Sequence, residues 1–165
     1  MKPSIARRIM TVMSKKEIRD FLVQGTFTGK LATINKDGSP HIAPIWFILD
    51  AYSMSGGISE EEGKDMIFTT SDTSVKAKNI RRDNRVSICV DDQTPPFSFV
   101  TVYGIAKISD LEQNELFTFA TKIAQRYMGK ENAELYGKRN SSEDEVLVRI
   151  KPTRIIAEKD IAAWD

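Results

Sequence analysis

Two periods of apolar residues organise the 165-residue chain. Ser14 followed three residues later by Glu17 matches a capping box, and Ile18, Phe21 and Leu22 then recur at helical spacing until Gly25 supplies a stop; the pattern predicts one short amphipathic helix. Lys30 to Ile34 and His41 to Leu49 are β-prone runs separated by Asn35-Lys36-Asp37-Gly38, which predicts a hairpin. Pro44 has no N–H for a ladder, so the second run belongs at a sheet edge or a bulge. Ala51 to Gly63 is rich in Ser, Gly and Glu and reads as a solvated loop.

Met66 to Thr70 is the next strand, and Ser71-Asp72-Thr73-Ser74 supplies helix-cap residue types before a helix over Val75 to Arg82, ended by Asp83-Asn84. Val86 to Val90 reads as a buried strand. Pro95-Pro96 breaks the chain, and Phe97 to Ile108 is a long β-rich stretch in which Gly104 marks a bulge or a close backbone approach. From Asp110 the positions Leu111, Leu116, Phe119, Ala120, Ile123, Ala124 and Tyr127 outline a longer amphipathic helix that stops near Gly129. Val146 to Ile150 and Ile155 to Ala157 form a last β segment bent at Pro152. The expected fold is α+β, a small six-stranded barrel with helices inserted at the breaks. It forms a single domain over residues 1–165, with residues 1–13 as a flexible N-terminal segment.

Composition narrows the function. Lys and Arg number 24 against 23 Asp and Glu, a net charge of +1, which lacks the basic excess that phosphate neutralisation by a nucleic-acid binder requires. No apolar run approaches the roughly 20 residues of a membrane span. The N-terminus carries Lys2, Arg7 and Arg8 but no apolar signal core, so the chain reads as cytoplasmic. One Cys and one His build neither a disulfide framework nor a zinc cluster; Cys89 is expected in the core, and no metal site is expected.

The best candidate chemistry lies in Thr69-Thr70-Ser71-Asp72-Thr73-Ser74-Val75-Lys76. Free amides at a helix start, Ser and Thr hydroxyls and one ammonium together favour an anion and could hold a phosphate monoester; the plainer reading is a simple helix cap. Asp72 opposes an anion unless its carboxylate points away. His41 invites a general-base reading because an unperturbed imidazole titrates near neutrality, but strand alternation equally makes it an outward polar residue, and no partner can be located from the sequence. Trp46 and Phe47 fit core or interface positions as well as ring stacking. Arg81, Arg82 and Arg85 read as a solvated helix end.

The ordered pattern resembles the pyridoxamine 5′-phosphate oxidase-like, FMN-binding split-barrel superfamily, in particular its small branch that includes deazaflavin-coenzyme oxidoreductases. The likeness is carried by Gly29-Lys30-Leu31-Ala32-Thr33, by Asp37-Gly38-Ser39-Pro40-His41-Ile42-Ala43-Pro44-Ile45-Trp46-Phe47, by Phe68-Thr69-Thr70 with Ser74-Val75-Lys76-Ala77-Lys78-Asn79-Ile80, and by Phe99-Val100-Thr101-Val102-Tyr103-Gly104. It implies that Ala43, Pro44, Ile45, Trp46, Phe47 and Ile48 line an isoalloxazine and its ribityl chain. Thr69 and Thr70 would form the next wall, and Ser74 and Lys76 would bind the phosphate. Val75 stands where the oxidases carry a second phosphate-binding cation, an arginine, and Phe99 where they carry a glutamine that contacts the flavin. Their C-terminal arginine-and-histidine substrate motif is missing from Lys159-Asp160-Ile161-Ala162-Ala163-Trp164-Asp165, so vitamin B6 oxidation is rejected as the first choice.

The resemblance further implies a homodimer with cofactors in clefts between subunits, to which Trp46, Phe97 and Phe99 would contribute. It implies a flavin-dependent oxidoreductase acting on a small organic substrate, with FMN as cofactor. The protein supplies position and exclusion of water while the ring carries the hydride, so no catalytic residue is nominated. The alternatives are the deazaflavin coenzyme F420, whose acidic tail would call on Lys30, Lys76 and Lys78, and a non-enzymatic flavin- or haem-binding module with His41 as the available haem ligand.

Overall fold

The computed structural model describes residues 11–50 and 65–163. Strand β1 (Thr11–Val12) leads into helix α1 (Lys15–Val23). There the capping box is complete: Ser14 Oγ accepts from Glu17 N–H at 3.3 Å, and Ser14 N–H donates to Glu17 Oε2 at 2.8 Å. Strands β2 (Gly29–Ile34) and β3 (Pro40–Ile45) form the expected hairpin, with Gly38 at φ +85° in its turn. Short β4 (Ile48–Leu49), then β5 (Met66–Ser71), α2 (Val75–Arg82), β6 (Arg85–Asp92) and β7 (Ser98–Ser109) follow. Helices α3 (Gln113–Met128) and α4 (Ala133–Arg139) precede β8 (Glu145–Lys159).

The strands make one antiparallel sheet in the order β3-β2-β6-β7-β8-β5-β4, with β1 added to β8. The path begins at β3 and ends at β4, yet only residues 46–47 separate these strands in the chain. The sheet therefore curls until its two ends approach each other without pairing, a half-barrel split along one side. Pro44 sits on edge strand β3, which pairs on one side only and so tolerates a residue without an N–H. Alternation fills the inside: Leu31, Ile88, Val90, Val100 and Val102 are buried there together with Phe68 and Ile150. Strand β5 is buried on both faces, because Ile67 points outward into a second cluster with Leu116 of α3 and Leu147 of β8. That explains its unbroken apolar start.

Gly104 lies at the expected bulge. The β7–β8 register shifts between Tyr103 and Gly104, leaving Thr153 as the extra residue, and a Cβ on Gly104 would stand 2.7 Å from the Lys151 carbonyl oxygen. The bend at Pro152 is thus absorbed inside one continuous strand. Gly129 ends α3 at φ +84°, as its position predicts.

Four expectations change. Two further two-residue strands, β1 and β4, join the six long ones. Thr11 and Val12, expected in the flexible N-terminal segment, pair with Lys159 and Glu158; residues 1–10 and the expected loop at 51–63 lie outside the described residues. Helix α4 has no counterpart in the sequence reading. Cys89 is half-buried on the outer side of β6, because Val86, Ile88 and Val90 take the inner side.

Candidate functional site

A cleft of about 330 Å³ opens where the sheet is split. Pro44, Ile45 and Trp46 form one wall, and Thr69, Thr70 and Ser71 at the end of β5 form the other. Ser74 and Lys76 close it from the start of α2, while Ile123, Asn140 and Glu145 reach it from α3, the end of α4 and the start of β8. The structure therefore gathers most of the expected cofactor residues from three separate stretches of sequence.

The start of α2 is arranged for an anion. Ser74 Oγ accepts from Ala77 N–H at 3.2 Å and from Thr70 Oγ1–H at 3.2 Å. With both acceptor positions of the hydroxyl filled, its own hydrogen is left to donate outward. Lys78 N–H closes the first helical turn on the Ser74 carbonyl at 3.0 Å, whereas the amides of Val75 and Lys76 precede any acceptor inside the helix. Asp72 does not oppose an anion as its position in the sequence threatens. Arg81 holds its carboxylate in an ion pair and donates to its carbonyl at 3.0 Å. The expected solvated arginine cluster is thereby put to structural use, since Arg82 binds the Ile34 carbonyl and the side chain of buried Asn79.

Glu145 is the feature that sequence reasoning missed. It is the register partner of Ser71, which brings its carboxylate into the cleft with Lys76. Burial pushes its pKa up, the Lys76 ammonium pulls it back, and neighbouring Asp144 raises it further.

Trp46 is fixed by aromatic neighbours within the chain. Its ring stacks on Tyr127 at 5.1 Å with an interplanar angle of 3° and meets Tyr136 at 6.2 Å. The corner at residues 46–47 lacks a ladder partner, and α3 provides for it: Phe47 N–H donates to Tyr127 Oη at 3.2 Å, and Arg126 donates to Phe47 O at 2.8 Å. Tyr127 Oη in turn donates to Phe27 O at 2.9 Å, and the guanidinium also reaches Leu22 O at 2.8 Å, the C-terminal end of α1. Burial lowers the Arg126 pKa and raises that of Tyr127. These two side chains hold the wall of the cleft in place.

The remaining expected residues fall elsewhere. Phe47 is fully buried in the core, Ile48 packs on the outer cluster with Ile67, and Ala43 is half-buried opposite Leu31. Phe99 pairs with Asp91 and Glu158, away from this cleft. His41 sits opposite Thr33 near the hairpin turn and does not line the cleft. Lys30 turns to Asp91 at 2.6 Å and Lys78 is exposed, so the two do not join Lys76 in a cationic cluster. Among the described residues no group of His, Cys, Asp and Glu is placed to hold a metal ion, and no helix is long and apolar enough to cross a membrane.

Comparison with known proteins bears on the family and the fold. The family model described as pyridoxamine 5′-phosphate oxidase matches residues 14–159. A 5a,11a-dehydrotetracycline/5a,11a-dehydrooxytetracycline reductase of Streptomyces rimosus is 35% identical over 79 residues, 48% of this chain and 49% of that one; the match thus spans about half of each. A conserved hypothetical protein of Mycobacterium tuberculosis is 28% identical and superimposes over 98% of this chain and 95% of that one, with a TM-score of 0.72. A structure titled F420 reductase, 24% identical over 82% of this chain and 94% of its own, shares the fold with a TM-score of 0.61.

Proposed function

This chain belongs to the pyridoxamine 5′-phosphate oxidase family, and from that membership we propose that it is an oxidoreductase that binds FMN in the split of its sheet. The observation that carries this reading is the pairing of an outward-donating Ser74 hydroxyl with the Lys76 ammonium at the start of α2, inside a cleft walled by residues 44–46. Hydroxyl, ammonium and first-turn amides are the donor set a phosphate takes, so the residues present fit the group. Ser74 and Lys76 would hold the phosphate, and Thr69, Thr70, Pro44 and Ile45 would wall the chain that leads to the ring.

The bound ring supplies hydride transfer, and the protein positions it and excludes water. Trp46, fixed by Tyr127, and the 46–47 corner, fixed by Arg126, keep the wall rigid, which limits the reorganisation needed when a substrate arrives. No side chain of the cleft is assigned a proton-transfer role. The curated relative is a reductase, which favours a small organic acceptor as the substrate. A second reading is the deazaflavin coenzyme F420 on the same fold, which a structure titled F420 reductase shares; Lys76 would then meet its acidic tail without Lys30 or Lys78. A haem-binding module is not favoured, since His41 stands outside the cleft.

The reading includes a homodimer. Ile42, Tyr103 and Ile105 are 65%, 39% and 40% exposed on the outer face of the sheet, which also carries Phe99. A second copy on that face would cover them and bring its own Phe99 toward the first copy's ligand. Analytical ultracentrifugation read at the absorbance of the ring tests both parts at once. FMN is expected to co-sediment with a species of twice the chain mass. Co-sedimentation of the deazaflavin coenzyme alone selects the second reading, and a ring that stays free in both cases overturns the proposal.

A further inference from the structure

Helix α2 brings Ser74 and Lys76 to the cleft, yet it is eight residues long and buries little apolar surface that would fix its orientation. Ala77 and Ile80 face the interior. Apolar contact of this kind is not directional, so it resists separation from the sheet far better than sliding or turning on it. A slip by one residue would carry the helix start about 1.5 Å along its axis and turn it by about 100°. The remaining buried side chain of the helix is polar: Asn79, 3% exposed, lies one turn after Val75 and Lys76.

Its amide makes a directional set of bonds. Nδ2 donates to Thr33 Oγ1 at 3.0 Å and to Asn35 Oδ1 at 3.0 Å, while Oδ1 accepts from Arg82 Nη2 at 2.9 Å. A guanidinium only donates, which fixes the end of the amide that carries the oxygen. Arg82 also donates to the Ile34 carbonyl, so the consecutive residues Thr33, Ile34 and Asn35 at the end of β2 all bind one turn of α2. Thr33 is fully buried, and Asn35 is itself held by the hairpin turn. Its N–H donates to the Ser39 carbonyl at 2.8 Å and its Nδ2 to Ser39 Oγ at 3.1 Å. Thr33, Asn35, Asn79 and Arg82 do not line the cleft.

We propose that Asn79 is a positioning residue for the anion: by tying one turn of α2 to the end of β2, it sets where Ser74 and Lys76 stand relative to the opposite wall. The inference rests on the phosphate reading given above and adds to it a residue that touches no ligand. Donors serve a phosphate only while they converge on it to within about 0.5 Å. A helix already tied in place spares the ligand the cost of ordering it.

The test compares FMN with riboflavin, the same ring and ribityl chain without the phosphate. Affinities are measured for the wild type, Asn79→Leu, Thr33→Val and Thr33→Ser, each well below its melting temperature. The wild type is expected to prefer FMN. Asn79→Leu removes the amide and Thr33→Val removes one of its acceptors at nearly constant volume. In both, FMN is expected to weaken by about fivefold, a part of what a hydrogen bond to a charged group is worth, with riboflavin unchanged. Thr33→Ser keeps the hydroxyl and is expected to keep the wild-type preference. A residue that only holds the fold together would weaken both ligands alike or neither, and either result overturns the inference while leaving the phosphate reading intact. In the wild type without ligand, both Nδ2 protons of Asn79 are expected to exchange slowly with solvent, since each meets a protein acceptor. Fast exchange contradicts the tie even where a variant fails to fold. A wild type that binds FMN no more tightly than riboflavin overturns the phosphate reading, and the inference with it.

Discussion

Lys76 is the residue on which an anion in this cleft depends most, since the other donors there are hydroxyls and amides. Lys76→Ala is expected to weaken binding of the phosphorylated cofactor by about 1.5–3 kcal/mol, the usual worth of a hydrogen bond to a charged group. Titration against the wild type checks it; an unchanged affinity places the phosphate elsewhere. Ser74 and Lys76 were legible in the sequence because a helix start writes its chemistry in contiguous residues. Thr70 was legible for the same reason, standing four positions before Ser74. Glu145 was not: it reaches the cleft through the pairing of β5 with β8, a register no local pattern announces. Arg126 and Tyr127 were read as part of an amphipathic helix, and nothing in that spacing says that they serve the backbone of Phe47, 79 and 80 residues away. The resemblance places Phe47 along the cofactor strand, whereas its side chain is fully buried in the core, a side that strand alternation alone does not tell in a curled sheet.

Among the elements, α1 shows how a local motif becomes a tertiary one. Glu17 closes the capping box on Ser14 and also accepts from Lys159 of β8, so one carboxylate ties the helix to the last strand. The hydrogen bond from Lys159, then those from Ser14, lower its pKa from 4.5 to about 2. A carboxylate depressed in the folded state stabilises the fold above its unfolded pKa, and that contribution is lost as pH falls from about 4.5 through about 2. The melting temperature of the wild type is expected to exceed that of Glu17→Gln above this window, with the gap closing inside it. A gap that stays constant across the window contradicts the assignment. Helix α4 escaped the sequence reading because Gly137 lies within it, where glycine weakens a helix. The reason is packing against α3: a Cβ there would meet the Thr121 backbone at 2.9 Å. The β7–β8 bulge was legible, since Gly104 and Pro152 each mark it independently.

At the scale of the whole molecule, periodicity and family resemblance together made the α+β split barrel legible, and the structure agrees in fold and in the order of its long elements. What they could not give is where the open edge falls. The edge is decided by the chain crossing directly from β3 to β4 at residues 46–47, so that both ends of the sheet face one cleft instead of pairing. That geometry makes α2, an ordinary capped helix in isolation, the floor of the cleft. The same curl puts Phe99 on the outer face, away from that cleft.

Amide-resolved NMR during titration with FMN, and separately with the deazaflavin coenzyme, locates the bound ligand without presupposing its chemistry. With a cofactor phosphate at the start of α2, the amides of Val75, Lys76 and Thr70 and the indole of Trp46 are expected to shift together and saturate at one ligand concentration. Saturating shifts centred instead on Arg85 and Lys107, with the start of α2 unmoved, would contradict that placement.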